Sequence, residues 1–423
     1  MIAPASAFAP RNGWRYGLLG LPLAFVALPL YVFVPNHYAR AFGVPLAALG
    51  LVLLGARLFD AFIDPLIGRW VDRLFARSTG SVLAFATAAA FVLALGFALL
   101  LLPPVREPVA ALAWAAAALA VTYAGYSALS VAHQSWGAML GGDEPQRSRI
   151  VAWREGLGLA GVLLAAMAPI ALGLPATVAV FIALLAAGCW AWSASRRPDA
   201  MPALHGAAAS SLWLPFRRPA FRRLLAVFML NGIASAVPAT LVLFFVQDRL
   251  QAPGSIEPAF LGTYFLCAAL SIPLWLGAVK RFGLARTWLA GMLLAIAAFG
   301  WAFQLGAGDV VPFLAVCAVS GIALGTDLAL PGALLAGVIA DAGDRGRHEG
   351  AYFGWWNFAT KLNLALAAGL ALPLLELAGY SPGARGDEAL KALTLAYCLL
   401  PCALKLAAAA GLYATLVHTK DTP

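Results

Sequence analysis

Charged residues are scarce in this sequence. Only 11% of its 423 residues are Asp, Glu, Lys or Arg, whereas a soluble domain carries about 25%, so an ordinary water-soluble protein is excluded. The five cysteines all lie inside apolar stretches and include no CxxC pair, which argues against a disulfide framework and against a zinc site. Neither a glycine-rich phosphate-binding loop nor an HExxH motif is present, so neither ATP-driven transport nor an intramembrane metalloenzyme is indicated.

Long apolar runs occupy most of the chain. Hydrophobic residues make up 62% of it, and the mean hydropathy is +0.86. Because a membrane span needs about 20 predominantly apolar residues, the runs predict an all-α integral membrane protein with twelve spans. The predicted spans are residues 16–38, 45–71, 81–102, 108–138, 152–174, 176–194, 222–247, 258–279, 286–306, 310–340, 350–378 and 388–417.

A basic, proline-containing stretch divides the chain into two halves. Residues 195–221 hold four Arg and four Pro and are interpreted as a cytoplasmic linker between two six-helix bundles, residues 1–194 and 222–423. Lys and Arg collect in the cytoplasmic loops of membrane proteins, and their distribution here predicts that both termini are cytoplasmic. Because the basic residues are scattered singly or in pairs between apolar runs, the net charge of +9 does not indicate a nucleic-acid partner.

Three charged residues interrupt the second predicted span. Arg57, Asp60 and Asp64 lie three and four residues apart, which places them on one helix face. A charge at the bilayer centre costs about 2.5–3.5 kcal/mol, so this face must meet protein or a wet cavity. One Arg cannot neutralise two carboxylates, and paired carboxylates repel unless a cation joins them. The pattern predicts a site for Na⁺, H⁺ or Li⁺; a structural ion pair in a packed bundle is the alternative.

A faint repeat follows the second and eighth spans. Gly68 precedes the charged pair Asp72–Arg73, and a glycine likewise precedes Lys280–Arg281. Glycine lets two helices approach closely, and a charged pair can bind the end of a neighbouring helix. We interpret Gly68, Asp72 and Arg73 as a cytoplasmic gate motif, and the duplicated halves suit a transporter that works by alternating access.

Further polar residues lie inside predicted spans. His133 and Gln134 fall in the fourth, Asp327 in the tenth and Asn357 in the eleventh. Each is a candidate for binding a polar solute. Packing, helix capping or hydrogen bonds between helices are the alternatives. The sequence assigns no partner to Lys405 in the last span.

Three motifs carry a resemblance to a known family. They are Arg57–Arg73, Arg154–Gly161 and the discontinuous region from Gly325 to Leu362. In these the sequence resembles the major facilitator superfamily and, more narrowly, its glycoside–pentoside–hexuronide:cation symporters, which the melibiose permease typifies. The resemblance implies twelve helices in two pseudo-symmetric bundles.

The same resemblance implies roles for individual residues. Asp60 and Asp64 would bind the coupling cation, with Lys361 of the eleventh span close to them. Arg154 and Trp136 would line the solute site. Two acidic positions of the melibiose permease type are not matched, since Ala24 stands at one and residues 130–136 contain no carboxylate.

These observations together predict a function. We expect a cation-coupled symporter of a small organic solute, a sugar or sugar derivative, with no cofactor besides the coupling ion and no enzymatic activity. A monomer in the cytoplasmic (inner) membrane of a bacterium is expected. A carrier of non-sugar amphipathic or lipid-like solutes and a non-transporting receptor or scaffold are the alternatives.

Overall fold

The computed structural model describes residues 10–198, 211–380 and 383–418, and every regular element in these ranges is helical. The fold class predicted from the apolar runs, an all-α membrane protein, is therefore confirmed. The ends of the chain and residues 199–210 of the predicted linker lie outside the described residues. The α-helices are α1 (Pro10–Gly17), α2 (Gly20–Leu28), α3 (Val34–Phe42), α4 (Leu46–Arg77), α5 (Thr79–Leu101), α6 (Pro108–Met139), α7 (Glu144–Leu172), α8 (Leu174–Ser193), α9 (Pro219–Phe244), α10 (Glu257–Phe282), α11 (Leu284–Ala302), α12 (Val310–Ala329), α13 (Pro331–Asp341), α14 (Glu349–Leu377), α15 (Asp387–Thr394) and α16 (Leu400–Leu412).

Nine helical stretches of the described chain are long and apolar enough to cross a membrane. The other three predicted spans are helical as well. The first is divided into α1, α2 and α3, with a π-helical turn at Pro29–Phe33. The second is the continuous helix α4 of 32 residues, whose apolar run is interrupted by charged residues. The eleventh corresponds to α14.

Contacts group the chain into two compact units. The first unit comprises Met1–Arg217 together with Ala336–Phe358, and the second comprises Arg218–Leu335 together with Ala359–Pro423. Each unit has its own apolar core. The division into bundles at residues 194 and 222 stays a prediction.

Small residues allow the helices of each unit to approach closely. In the first unit, a Cβ added to Gly125 of α6 would lie 2.6 Å from the backbone nitrogen of Leu93 in α5. In the second unit, a Cβ on Gly321 of α12 would lie 2.3 Å from the carbonyl oxygen of Tyr264 in α10. Such contacts are how membrane helices gain packing energy, because lipid offers no hydrophobic drive between helices.

Candidate functional site

The acidic pair of α4 is buried in the first unit. Asp60 is 2% exposed and Asp64 is 0% exposed. The hydroxyl of Ser127 in α6 donates a hydrogen bond to Oδ1 of Asp60 at 2.6 Å. Pro65 follows directly inside the helix. Because proline has no N–H, the carbonyl of Ala61 cannot receive its usual helical hydrogen bond. Carboxylate and carbonyl oxygens of α4 and a hydroxyl oxygen of α6 are thus offered close to Asp60, and such oxygens suit a hard cation.

Ser127 is a candidate that the sequence reasoning missed. Ser127 and Ser130 are buried polar residues of α6. Two hydroxyl residues three positions apart in the sequence are the signal that points to this face. Only the packing of α6 against α4 identifies Asp60 as the partner.

A close contact joins the C-terminal part of α4 to the start of α14. A Cβ on Gly68 would lie 2.0 Å from the carbonyl oxygen of Gly350, so only glycine fits there. One turn further along, Asp72 accepts hydrogen bonds from the backbone N–H groups of Gly350 at 2.6 Å and Ala351 at 2.9 Å. A carboxylate at a helix N-terminus satisfies free N–H groups and meets the positive end of the helix dipole. Arg73 itself is exposed, and the role of Gly68, Asp72 and Arg73 as a gate motif stays a prediction.

A second carboxylate lies at the same helix end. Glu349 is fully buried; its Oε1 accepts from the amide of Gly346 at 2.6 Å, and its Oε2 has no hydrogen-bond partner among the described residues. Glu349 and Asp72 lie just outside the predicted spans 350–378 and 45–71. Burial raises the pKa of Glu349 from 4.5 to about 7, against the opposing effects of the Gly346 amide and the charge of Arg345. Burial, and next the charge of Glu349, also raise the pKa of Asp72.

Arg345 fixes the loop that precedes α14. Its Nη2 donates to the carbonyl oxygen of Met139 at the end of α6, at 3.1 Å. Gly141 makes room for the guanidinium, since a Cβ there would lie 2.0 Å from Nη2. The start of α14 is therefore held from two sides within the first unit.

Two residues predicted from the eleventh span lie in different units. Asn357 belongs to the first unit and Lys361 to the second, and both are half-buried. Arg57 is half-buried in α4. The predicted network of Arg57, Lys361 and the two aspartates stays a prediction.

The candidates of α6 occupy a packed aromatic region. Nε2 of His133 is 2.8 Å from the carbonyl oxygen of Tyr16, and its ring stacks on Tyr16 at 4.2 Å between centroids. The fully buried Trp136 donates from Nε1 to the carbonyl oxygen of Arg196 at 3.1 Å. These contacts are those of packing residues. Gln134 is half-buried beside them, and a role in solute binding stays a prediction for all three.

Arg154 of α7 lies where the first helices cross α7. Its Nε donates to Oε1 of Glu155 at 2.9 Å, and the two side chains form an ion pair. A Cβ on Gly20 would lie 2.4 Å from the carbonyl oxygen of Arg154. The charge of Arg154 is therefore already balanced by Glu155. Its role in lining the solute site stays a prediction.

The second unit contains an ion pair that the sequence did not reveal. Nζ of Lys405 in α16 is 2.9 Å from Oδ2 of Asp327 in α12. The sequence identified Asp327 as a candidate and left Lys405 without a partner, because residues 78 positions apart meet only through tertiary packing. Within the described ranges, no group of three or more His, Cys, Asp and Glu residues could hold a metal ion.

Ionisable side chains inside membrane helices mark substrate or ion pathways, proton relays, voltage sensors or ligand counter-ions. The sequence matches the family described as MFS/sugar transport protein over residues 15–417. The chain belongs to this family, whose members are multi-pass membrane transporters and not enzymes. The resemblance to the major facilitator superfamily is thereby confirmed.

Individual relatives agree with this assignment. The chain is 26% identical over 413 residues to a putative sulfoquinovose importer of Salmonella typhimurium, covering 89% of this chain and 83% of the relative. It is 25% identical over 414 residues to a glucuronide carrier protein homolog of Escherichia coli, covering 89% of this chain and 86% of the relative.

Solved structures share the fold. A bacterial homologue of the iron transporter ferroportin, in an outward-facing state, superposes with a TM-score of 0.72 at 16% identity, covering 96% of this chain and 99% of that one. The E. coli fucose:proton symporter gives a TM-score of 0.69 at 16% identity, with 95% and 99% covered. These likenesses concern the fold alone.

Proposed function

We propose that this protein is a cation-coupled symporter that moves a sugar or sugar derivative by alternating access. The observation that carries the proposal is the acidic pair of α4. Asp60 and Asp64 are buried one helical turn apart, with the Ser127 hydroxyl 2.6 Å from Asp60. A bound cation removes the repulsion between the two carboxylates, and by linkage the solute and the cation strengthen each other's binding.

The coupling ion is proposed to be a proton, with Na⁺ and Li⁺ as the competing candidates. The fold is shared with a transporter named as a fucose:proton symporter, which favours the proton. The oxygen ligands on α4 would also suit Na⁺. Thermal stability of the purified protein, measured against pH, Na⁺ and Li⁺, separates these ions because a bound ion stabilises the folded state.

The proposed solute is a sugar derivative that carries an acidic group. Two relatives are named for sulfoquinovose and for glucuronide, and each of these sugars bears an acid. The neutral-sugar site of the melibiose permease type lacks its carboxylates here, since Ala24 replaces one of them. A site without acceptor carboxylates binds sugar hydroxyls weakly but does not repel an anion.

The α4–α14 contact is proposed to act as the cytoplasmic gate. Asp72 binds backbone N–H groups of α14. Opening this contact therefore does not require the side chains of α14 to exchange hydrogen-bond partners. We further propose that the protein works as a monomer in the cytoplasmic (inner) membrane of a bacterium with both termini cytoplasmic. The distribution of Lys and Arg supports that orientation.

Uptake by proteoliposomes tests the function. Wild-type protein is expected to accumulate a sugar acid such as D-glucuronate when an inward proton or Na⁺ gradient is imposed. Asp60→Asn and Asp64→Asn are expected to lose gradient-driven accumulation while inserting normally, because the amide cannot bind the cation. Asp387→Asn, at an exposed position in α15, is the matched control and should transport like wild type. Gradient-driven accumulation in both α4 variants would refute the proposed site.

A further inference from the structure

Four hydrogen-bond donors converge on one carboxylate in the second unit. Oδ1 of Asp327 accepts from Nδ2 of Asn231 at 3.0 Å and from Nε1 of Trp288 at 2.8 Å. Oδ2 lies 2.9 Å from Nζ of Lys405 and 3.4 Å from Oγ of Ser235. The donors come from α9, α11 and α16, so three helices surround the carboxylate on α12. Every lone-pair direction of the carboxylate is taken.

The same donors form a complete anion-binding set without Asp327. An ammonium, an amide N–H, an indole N–H and a hydroxyl are the groups that bind carboxylates, sulfonates and phosphates in proteins. Lys405 is held in place from behind, since Nζ also donates to Oδ1 of Asn231 at 2.7 Å and to Ser235 at 3.1 Å. We call Asn231, Ser235, Trp288 and Lys405 the donor cradle.

Asp327 is the more exposed partner of this ion pair. Its side chain is 15% exposed, whereas that of Lys405 is 6% exposed. The side chain that solvent reaches more readily is therefore the carboxylate. Asp327 is an anion attached to the chain and seated where an anion from solution would bind.

We propose that the donor cradle recognises the acidic group of the transported solute and that Asp327 fills it between transport cycles. The inference rests on the proposed function and deepens it by assigning the acid site. The carboxylate, sulfonate or phosphate of the solute takes the place of Asp327 on the cradle. The displaced Asp327 carboxyl takes up one proton, because a bare carboxylate beside a second anion inside the membrane is strongly disfavoured. One negative charge and one proton enter together, so the net charge of the site is unchanged.

The other groups described around the Asp327–Lys405 ion pair do not take part in the proton exchange. Tyr264 of α10 interacts electrostatically with Asp327, and Cys402 of α16 with Lys405. Phenols and thiols are ordinarily neutral near pH 7. Asn231 and Ser235 of α9 and Trp288 of α11 do not titrate.

Ligand-dependent thermal stability of the full-length protein tests the proposal. The probes are D-glucuronate, a 6-sulfonated hexose and glucose 6-phosphate, with D-glucose as the uncharged comparison, each at pH 6 and pH 8. Asp327→Asn removes the internal anion, so at least one acid is expected to bind at least tenfold more tightly than to wild type, without dependence on pH. Lys405→Gln is expected to bind the same acid at least tenfold more weakly, because one charge-assisted hydrogen bond corresponds to about tenfold or more. Lys391→Gln, at an exposed position in α15, should match wild type.

Two results would overturn the inference. One is an Asp327→Asn protein that no acid stabilises more than glucose does. The other is a Lys405→Gln protein that keeps the wild-type affinity for the acids. If Lys405→Gln does not fold, the double variant Asp327→Asn/Lys405→Gln replaces it, since it removes both charges; acid selectivity must then be absent. The proposed function fails separately, if acids bind selectively but Asp60→Asn and Asp64→Asn both keep gradient-driven uptake.

Discussion

Replacing Gly68 by Ala should break the contact between α4 and the start of α14. The added Cβ would lie 2.0 Å from the carbonyl oxygen of Gly350, whereas ordinary contacts are 3.4–4 Å. Both atoms in this clash are fixed to helix backbones, so no side-chain rotation relieves it. The two helices must separate by roughly 1 Å or more.

That separation has a predictable cost. Asp72 is bonded to the amides of Gly350 at 2.6 Å and Ala351 at 2.9 Å, and an added ångström takes both beyond hydrogen-bonding distance. Hydrogen bonds to a charged group contribute about 1.5–3 kcal/mol each. Loss of both is expected to disfavour the joined state by about 3 kcal/mol, which is on the order of a hundredfold in population.

The assay compares two glycines of the same helix. A Cβ on Gly55 of α4 meets nothing within 4 Å, and Ala is about 1 kcal/mol more favourable than Gly in a helix. Gly55→Ala should therefore keep or raise the melting temperature of the purified protein, while Gly68→Ala should lower it. Hydrogen–deuterium exchange should become faster in the peptide holding Gly350 and Ala351, for Gly68→Ala only. Equal melting and equal exchange protection in the two variants would refute the reasoning.

Three further predictions concern other contacts. Burial raises the pKa of Glu349 from 4.5 to about 7 in the folded protein, so the folded state loses about 3 kcal/mol of stability between pH 4.5, where the unfolded chain ionises, and pH 7, where the buried carboxyl does; Glu349→Gln should reduce the dependence of the melting temperature on pH between pH 5 and pH 8, and an unchanged slope would contradict this. Ser127→Ala removes the hydrogen bond to Asp60 and should weaken the affinity for the coupling cation about tenfold, measured as the cation concentration that stabilises the protein against heat. A variant that responds to the cation as wild type does would exclude Ser127 from the site. Gly321→Ala, whose Cβ would lie 2.3 Å from a backbone oxygen, should unfold at lower temperature than Gly262→Ala, where nothing lies within 4 Å; equal melting would argue against close packing at α12.

Local patterns in the sequence predicted helices and shared faces. The apolar runs predicted the helical membrane fold, and the spacing of Asp60 and Asp64 predicted one face of α4. The first span differs, because it is divided into three helices, with a π-helical turn at Pro29–Phe33 between the second and the third. A count of apolar residues does not register such a break in the backbone.

Partners distant in the chain could not be predicted. The sequence marks Asp72 as part of a charged pair, but it does not show that this carboxylate accepts hydrogen bonds from backbone amides 278 and 279 positions away. The same holds for Ser127 with Asp60, 67 positions apart. Lys405 was visible as a buried cation, and only the arrangement of α9, α11, α12 and α16 names its partners.

The ion pair of the second unit has a consequence for how the protein is made. Asp327 emerges from the ribosome 78 residues before Lys405, and synthesis proceeds at about 5–20 residues per second. For roughly 4 to 16 seconds each new chain holds an acid in α12 without the ammonium that neutralises it. A nascent chain that stops before α16 never acquires that cation, so a ribosome-stalled product carries an acid without its partner in the second unit.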